Sequence, residues 1–125
     1  MEYLKRFLEY APEAYDAIRD VDDVAVIARN TGWAEFRIQR IKKHLFYDEH
    51  KLDYNLGFNR FSSDPDIADA WIRLQRGNFN PEDLRLLEHE YFESRFEGIF
   101  HTNYRTDHDA TERSGRLWSP PVTSA

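Results

Sequence analysis

Residues 80–98 read NPEDLRLLEHEYFESRFEG, and the phase of that stretch decides the fold. Asn80-Pro81 is a helix start: the Asn side chain accepts from free amides of the first turn, and Pro suits the first helical position. Glu82 and Asp83 then sit well against the positive end of the helix dipole. Once the stretch is helical, Leu86, His89, Glu93, Phe96 and Phe100 fall on one stripe by 3-4-3-4 spacing. The inward face is therefore expected to carry an imidazole and a carboxylate. Each costs free energy when buried unless it pairs, binds an ion or lines a wet cleft. Gly98 predicts that the helix ends near Glu97.

Working outward, the same start chemistry recurs at Ser63-Asp64-Pro65, with Ile67, Ala68, Trp71, Ile72 and Leu74 as the packing face and Gly77 as the stop. Before it, the apolar period predicts a helix over 34–50 bearing Phe36, Ile38, Ile41, Leu45 and Phe46. A brief helix over 20–30, with Val24, Val26 and Ile27 inside, ends at Asn30-Thr31-Gly32. An amphipathic segment over 2–19 carries Tyr3, Leu4, Phe7, Leu8, Tyr15 and Ile18, and Pro12 kinks it or splits it in two. The stretch 51–63, with Asn55, Gly57 and Asn59 between aromatics, reads as a loop or a short hairpin. Past His101 the chain is polar, with a short helix near 107–113, and Ser119-Pro120-Pro121 begins a frayed end. The expected fold class is all-α, with five to six helices and at most a short hairpin around 51–63. One helical domain covers 1–118, of which 1–29 is either a linker or a pair of fold-completing helices, and 119–125 is a tail.

Composition agrees with one packed core. The 125 residues include nine Phe, seven Tyr and three Trp, enough apolar area to fold a chain that is 32% charged. A net charge of -6 argues against a broad basic-patch nucleic-acid binder, because such binding rests on Lys and Arg displacing counterions from phosphates. Without cysteine there is no disulfide, thiolate metal site or Cys nucleophile. No apolar run approaches the roughly 20 residues that span a bilayer, and no signal-peptide core opens the chain. No membrane role is expected.

The chemistry gathers in two clusters. Positions four apart on a helix point the same way, so His89 and Glu93 could ligate one ion, with Glu90 beside them as a candidate general base. The pattern is similar to the zinc-hydrolase helix motif His-Glu-x-x-His, with Glu93 in place of the second His. His108, or failing that His101, would complete a His2Glu set around a divalent ion such as zinc, leaving one position open. The plainer alternative is an ordinary surface pair worth a few tenths of a kcal/mol.

The second cluster is Lys42-Lys43-His44 with Asp48, Glu49 and His50, in which His44 and Asp48 are spaced as an i, i+4 pair on the helix expected over 34–50. A His with a carboxylate partner and a nearby cation is the equipment of metal-independent ribonucleases: one His takes the 2'-hydroxyl proton, another protonates the leaving oxygen, and a cation steadies the phosphorane. His44 and His108 would fill those roles, with Lys43 or Arg105 as the cation and His50 as a further candidate. A solvated helix end explains Lys42 and Glu49 without any chemistry.

The runs NTGW (30–33), IKKHLFYDEH (41–50), FSSDPDIADAWIRLQRG (61–77) and LLEHEYFESRF (86–96), with the later His108 between aspartates, resemble a group of small C-terminal toxin domains of bacterial polymorphic toxins, also found in phage-related proteins. The resemblance spans about Asn30 to Trp118. It implies an exported effector delivered to a target-cell cytoplasm as part of a larger protein, with a cognate immunity protein as partner. It further implies that His44, His50, His89, His108, Glu90 and Glu93 are the recurrent polar positions. The expected function is a hydrolase acting on nucleic acid or peptide through a His/Glu-lined, metal-dependent site. The alternative is a non-enzymatic, acidic helical module, either an immunity or adaptor protein or a phage-particle component, in which the histidines would scatter.

Overall fold

Two long helices, each distorted by one widened turn, frame the molecule. The computed structural model describes residues 2–52 and 57–120; Asn55 and the last part of the tail, 121–125, lie outside the described residues. Helix α1 is continuous over 2–20, passing from Glu2–Lys5 through a wide turn, Arg6–Tyr10, into Ala11–Asp20. Pro12 does not split it. Proline lacks an amide hydrogen and crowds the carbonyl four residues back, and the turn before it opens so that the Ala11 N–H reaches Arg6 O, five residues away.

Helix α2, Val24–Thr31, stops at Gly32, which takes the left-handed conformation at φ 78°. Helix α3 begins at Glu35–Lys42 and ends in a second wide turn, Lys43–Tyr47, closed by the Asp48 N–H on Lys43 O at 2.8 Å. This corrects the expected helix over 34–50. Asp48 is extended and His50 lies on a strand, so the i, i+4 pair of His44 with Asp48 does not form; Asp48 meets exposed Lys43 instead, at 3.1 Å. The wide turn has a packing consequence. Unlike a regular α-turn, which would swing one of three consecutive side chains to solvent, it buries His44, Leu45 and Phe46 together.

A minimal antiparallel hairpin follows, β1 (His50–Lys51) against β2 (Phe58–Asn59), with His50 opposite Asn59 and Lys51 opposite Phe58. Helix α4, Pro65–Arg76, starts as its sequence predicts: Asp64 accepts from the amides of Asp66 and Ile67, and Gly77 terminates it. Helix α5, Pro81–Phe100, opens with a reciprocal cap between Asn80 and Asp83. It runs past Gly98, where a stop was expected. A Cβ at Gly98 would stand 2.9 Å from Arg40 Nη2, so this glycine makes room for the Arg40 side chain crossing from α3 to Ser94. Helix α6, Tyr104–Arg113, capped by Asn103, is longer than the segment expected near 107–113. No helix among the described residues is long and apolar enough to cross a membrane.

The core joins Tyr15 and Ile18 of α1, Ile27 of α2, Ile38, Ile41 and Phe46 of α3, Trp71 and Leu74 of α4, and Leu87 of α5. Phe46 sits at its centre, edge-on to Tyr15 and Trp71 at 4.7 and 5.3 Å between ring centroids. The segment over 1–29, left open between linker and fold-completing helices, thus supplies Tyr15, Ile18 and Ile27 to the core. Two aromatics expected on inward faces, Phe36 and Phe100, stay outside the core, as do Tyr3, Leu4 and Leu8. On α5 the buried positions are Asp83, Leu86, Leu87, His89, Glu90, Glu93 and Ser94. The inward face is turned from the expected stripe toward the two glutamates.

Candidate metal centre

Glu93 is the hub. Its carboxylate, 2% exposed, lies between three imidazoles brought from three helices: His44 from the wide turn of α3, His89 one turn earlier on α5, and His108 from α6. His44 Nε2 lies 3.2 Å from Glu93 Oε1 and 3.4 Å from Glu90 Oε2, so one ring nitrogen faces both glutamates. On the other side, Glu93 Oε2 is met by His89 Nε2 at 3.4 Å and His108 Nδ1 at 3.5 Å. Those two distances are long for hydrogen bonds. They match donors sharing a tetrahedral ion, since bonds of about 2.0–2.1 Å put neighbouring ligand atoms about 3.3–3.5 Å apart.

The hydrogen-bond accounting agrees. Buried Glu93 Oε2, His108 Nδ1 and Glu90 Oε2 have no hydrogen-bond partner among the described residues, although buried polar atoms are ordinarily paired. His89 is also oriented as a ligand would be: its Nδ1–H donates to the Arg116 carbonyl at 2.7 Å, with Glu112 Oε2 at 3.5 Å, and its Nε2 faces the cluster. One donor atom from each of His89, Glu93 and His108 falls within 4.8 Å of the others, and the same holds for His44, Glu90 and Glu93 and for His44, His50 and Glu97. Buried His/Glu groups within metal-binding distance are therefore present. The third of these groups is already hydrogen-bonded within itself: His50 Nδ1 is 2.7 Å from Glu97 Oε2, and its Nε2–H donates to the His44 carbonyl at 2.7 Å.

An aromatic chain carries the cluster to the hairpin. The His50 ring stacks on Phe61 at 3.9 Å and 7°, Phe61 meets Tyr104 at 5.1 Å, and Tyr104 lies 5.5 Å from His108. A cleft of about 280 Å³ opens between these elements and reaches Glu90 and Glu93, with Leu45, Leu52, Phe61, Ile67 and Tyr104 among its walls.

The charges divide unequally. Burial opposes protonation of His44, but Glu90 and Glu93 outweigh it and hold the imidazolium up to a pKa of about 10. His89 is opposed by burial in the same way and held up to about 9 by Glu93, Glu90 and the Arg116 carbonyl. His108 is raised by Glu93 against its burial. The two carboxylates move apart. Burial would push Glu93 up, but the surrounding imidazoles pull it well below the usual range, whereas burial and the charge of Glu93 push Glu90 up. Asp107, which accepts from the Thr102 hydroxyl, is raised to about 6, first by burial and then by Glu97 and Glu93.

The structure thus brings together His44, His89, His108, Glu90 and Glu93, with His50 held behind His44. It leaves Lys43 and Arg105 exposed, with Lys43 on Asp48, and His101 as the exposed left-handed cap of α5 at φ 53°. Sequence reasoning missed Glu97, Asp107 and the Arg116 carbonyl. Glu97 had a signal, since Glu90, Glu93 and Glu97 continue one helical row; a backbone carbonyl from the tail had none. Comparison of the chain with protein-family models, with curated proteins and with solved structures found no match.

Proposed function

We propose that the chain is a hydrolase domain acting as an effector in bacterial competition, with a divalent ion held by His89, Glu93 and His108 and with Glu90 as its general base. One observation carries the reading: His89 Nε2 and His108 Nδ1 converge at 3.4 and 3.5 Å on Glu93 Oε2, which has no hydrogen-bond partner among the described residues. Two imidazoles and one carboxylate are a donor set that suits zinc. Such an ion supplies Lewis acidity toward a substrate carbonyl or phosphoryl oxygen. Glu90 lines the cleft beside Glu93, where a general base would stand, and burial and the charge of Glu93 raise its pKa. His44 Nε2 lies 3.4 Å from Glu90 Oε2, and the two glutamates hold its imidazole protonated.

The substrate classes that fit are peptide and nucleic acid. The resemblance of the sequence to polymorphic-toxin domains supports delivery into a target cell and a cognate immunity protein. A non-enzymatic binding module draws support from one feature, the exposed Ile99 and Phe100 at the end of α5.

Expression inside a bacterium separates the two. His89→Ala and Glu90→Gln are expected to leave the helical content and cooperative unfolding intact and to abolish growth inhibition. Full toxicity in both variants would discard the hydrolase.

A further inference from the structure

The walls of the cleft bear on which substrate class enters it, an inference that rests on the hydrolase reading. Leu45, Leu52, Phe61, Ile67 and Tyr104 present hydrocarbon and ring faces, while the charged side chains that reach the cleft are Asp64, Glu90 and Glu93. No Lys or Arg lines it among the described residues. A phosphodiester would have to approach two buried glutamates past walls that offer neither Lys nor Arg to replace its counterions, and the chain as a whole carries a net charge of -6. The Asp64 carboxylate does not alter this, because it is engaged in capping α4. At about 280 Å³ the cleft has room for one side chain rather than for a nucleotide strand.

We infer that the cleft is a specificity pocket for an uncharged, apolar amino-acid side chain next to the scissile amide of a peptide substrate. Apolar walls gain from desolvating such a side chain, whereas an acidic one would be stripped of water with no partner. The reaction adds water across the C–N bond: the hydroxyl goes to the carbonyl carbon, and the proton passes through Glu90 to the leaving nitrogen.

The test uses the zinc-loaded protein, calorimetry and three probes: N-acetyl-leucine hydroxamate, N-acetyl-aspartate hydroxamate and thymidine 5'-monophosphate. Both hydroxamates offer the same metal-binding group, so their difference reports the cleft. The leucine compound is expected to bind roughly tenfold or more tighter than the aspartate compound, and the nucleotide weakest of all. Leu52→Lys, at the half-buried rim, is expected to narrow or reverse the hydroxamate preference without changing zinc content. Equal binding of the two hydroxamates, tighter binding of the nucleotide, or no binding by protein shown to hold zinc would overturn the inference. A protein that retains no zinc would overturn the function beneath it, and zinc content in the same sample tells the two failures apart.

Discussion

Two buried anions in this molecule are treated in opposite ways. Asp23, 4% exposed, has every oxygen engaged: Lys42 Nζ donates to Oδ1 at 2.7 Å, and Trp71 Nε1 and Gln75 Nε2 donate to Oδ2 at 2.9 and 2.7 Å. Lys42 in turn donates to the Val21 carbonyl at 2.6 Å. That network ties α3 and α4 to the turn before α2, and nothing in it is left to react. Glu93 is equally buried, yet one of its oxygens faces two imidazoles at 3.4 and 3.5 Å, long for hydrogen bonds. The unpartnered Glu93 oxygen is one that a bound ion would satisfy.

Substitution breaks the comparison most sharply. Asp23→Asn leaves Lys42 buried without its counter-charge and is expected to cost about 3–5 kcal/mol of stability in urea unfolding while zinc affinity is unchanged. Glu93→Gln should reverse the pattern, costing less stability because it also relieves repulsion with Glu90, and lowering zinc affinity by more than about 100-fold, the upper end for removing a mere supporting residue. Equal losses of stability with unchanged zinc binding would make the two anions the same kind of feature.

A smaller effect follows from protons. His44 and His89 have pKa values of about 10 and about 9 in the fold, against an ordinary 6.5. Between those values the folded chain holds protons that the unfolded chain has lost, so their contribution is complete below pH 6.5 and disappears as the pH rises through 9 to 10. Zinc-free protein should accordingly be less stable at about pH 9 than at about pH 6. Zinc works in the other direction, because His89 must release its proton to bind, and saturation should narrow or reverse the difference. Parallel pH dependences with and without zinc would contradict this. The smallest effect belongs to exposed Lys43: Lys43→Ala should change stability by no more than about 0.5 kcal/mol and leave growth inhibition intact, since it removes only a surface pair with Asp48.

What could be read in the sequence divides along the same line. Helix starts at Asp64-Pro65 and Asn80-Pro81 and stops at Gly32 and Gly77 are local chemistry, and they fall where expected. The pairing of His89 with Glu93 on one row needed only the helical period. The widened turn over Lys43–Tyr47 was not legible, because it depends on burying His44 and Phe46 toward different neighbours at once, Glu93 on one side and Trp71 on the other. For the same reason α3 ends at Tyr47, three residues short of the expected end, and His50 lies on the strand that carries it to Glu97 rather than on a helix. Gly98 misled because its role is steric clearance for Arg40, a contact 58 positions away in sequence. The meeting of His44 and His108 with the α5 carboxylates is a matter of tertiary packing, on which spacing is silent.

Elemental analysis of purified protein, reconstituted with zinc and then desalted, tests the central claim most directly. One zinc per chain is expected, removable by a chelator and lost in His89→Ala and in His108→Ala, both of which keep their helical content. Protein that emerges without bound metal, or that holds it equally well after both substitutions, would contradict the account.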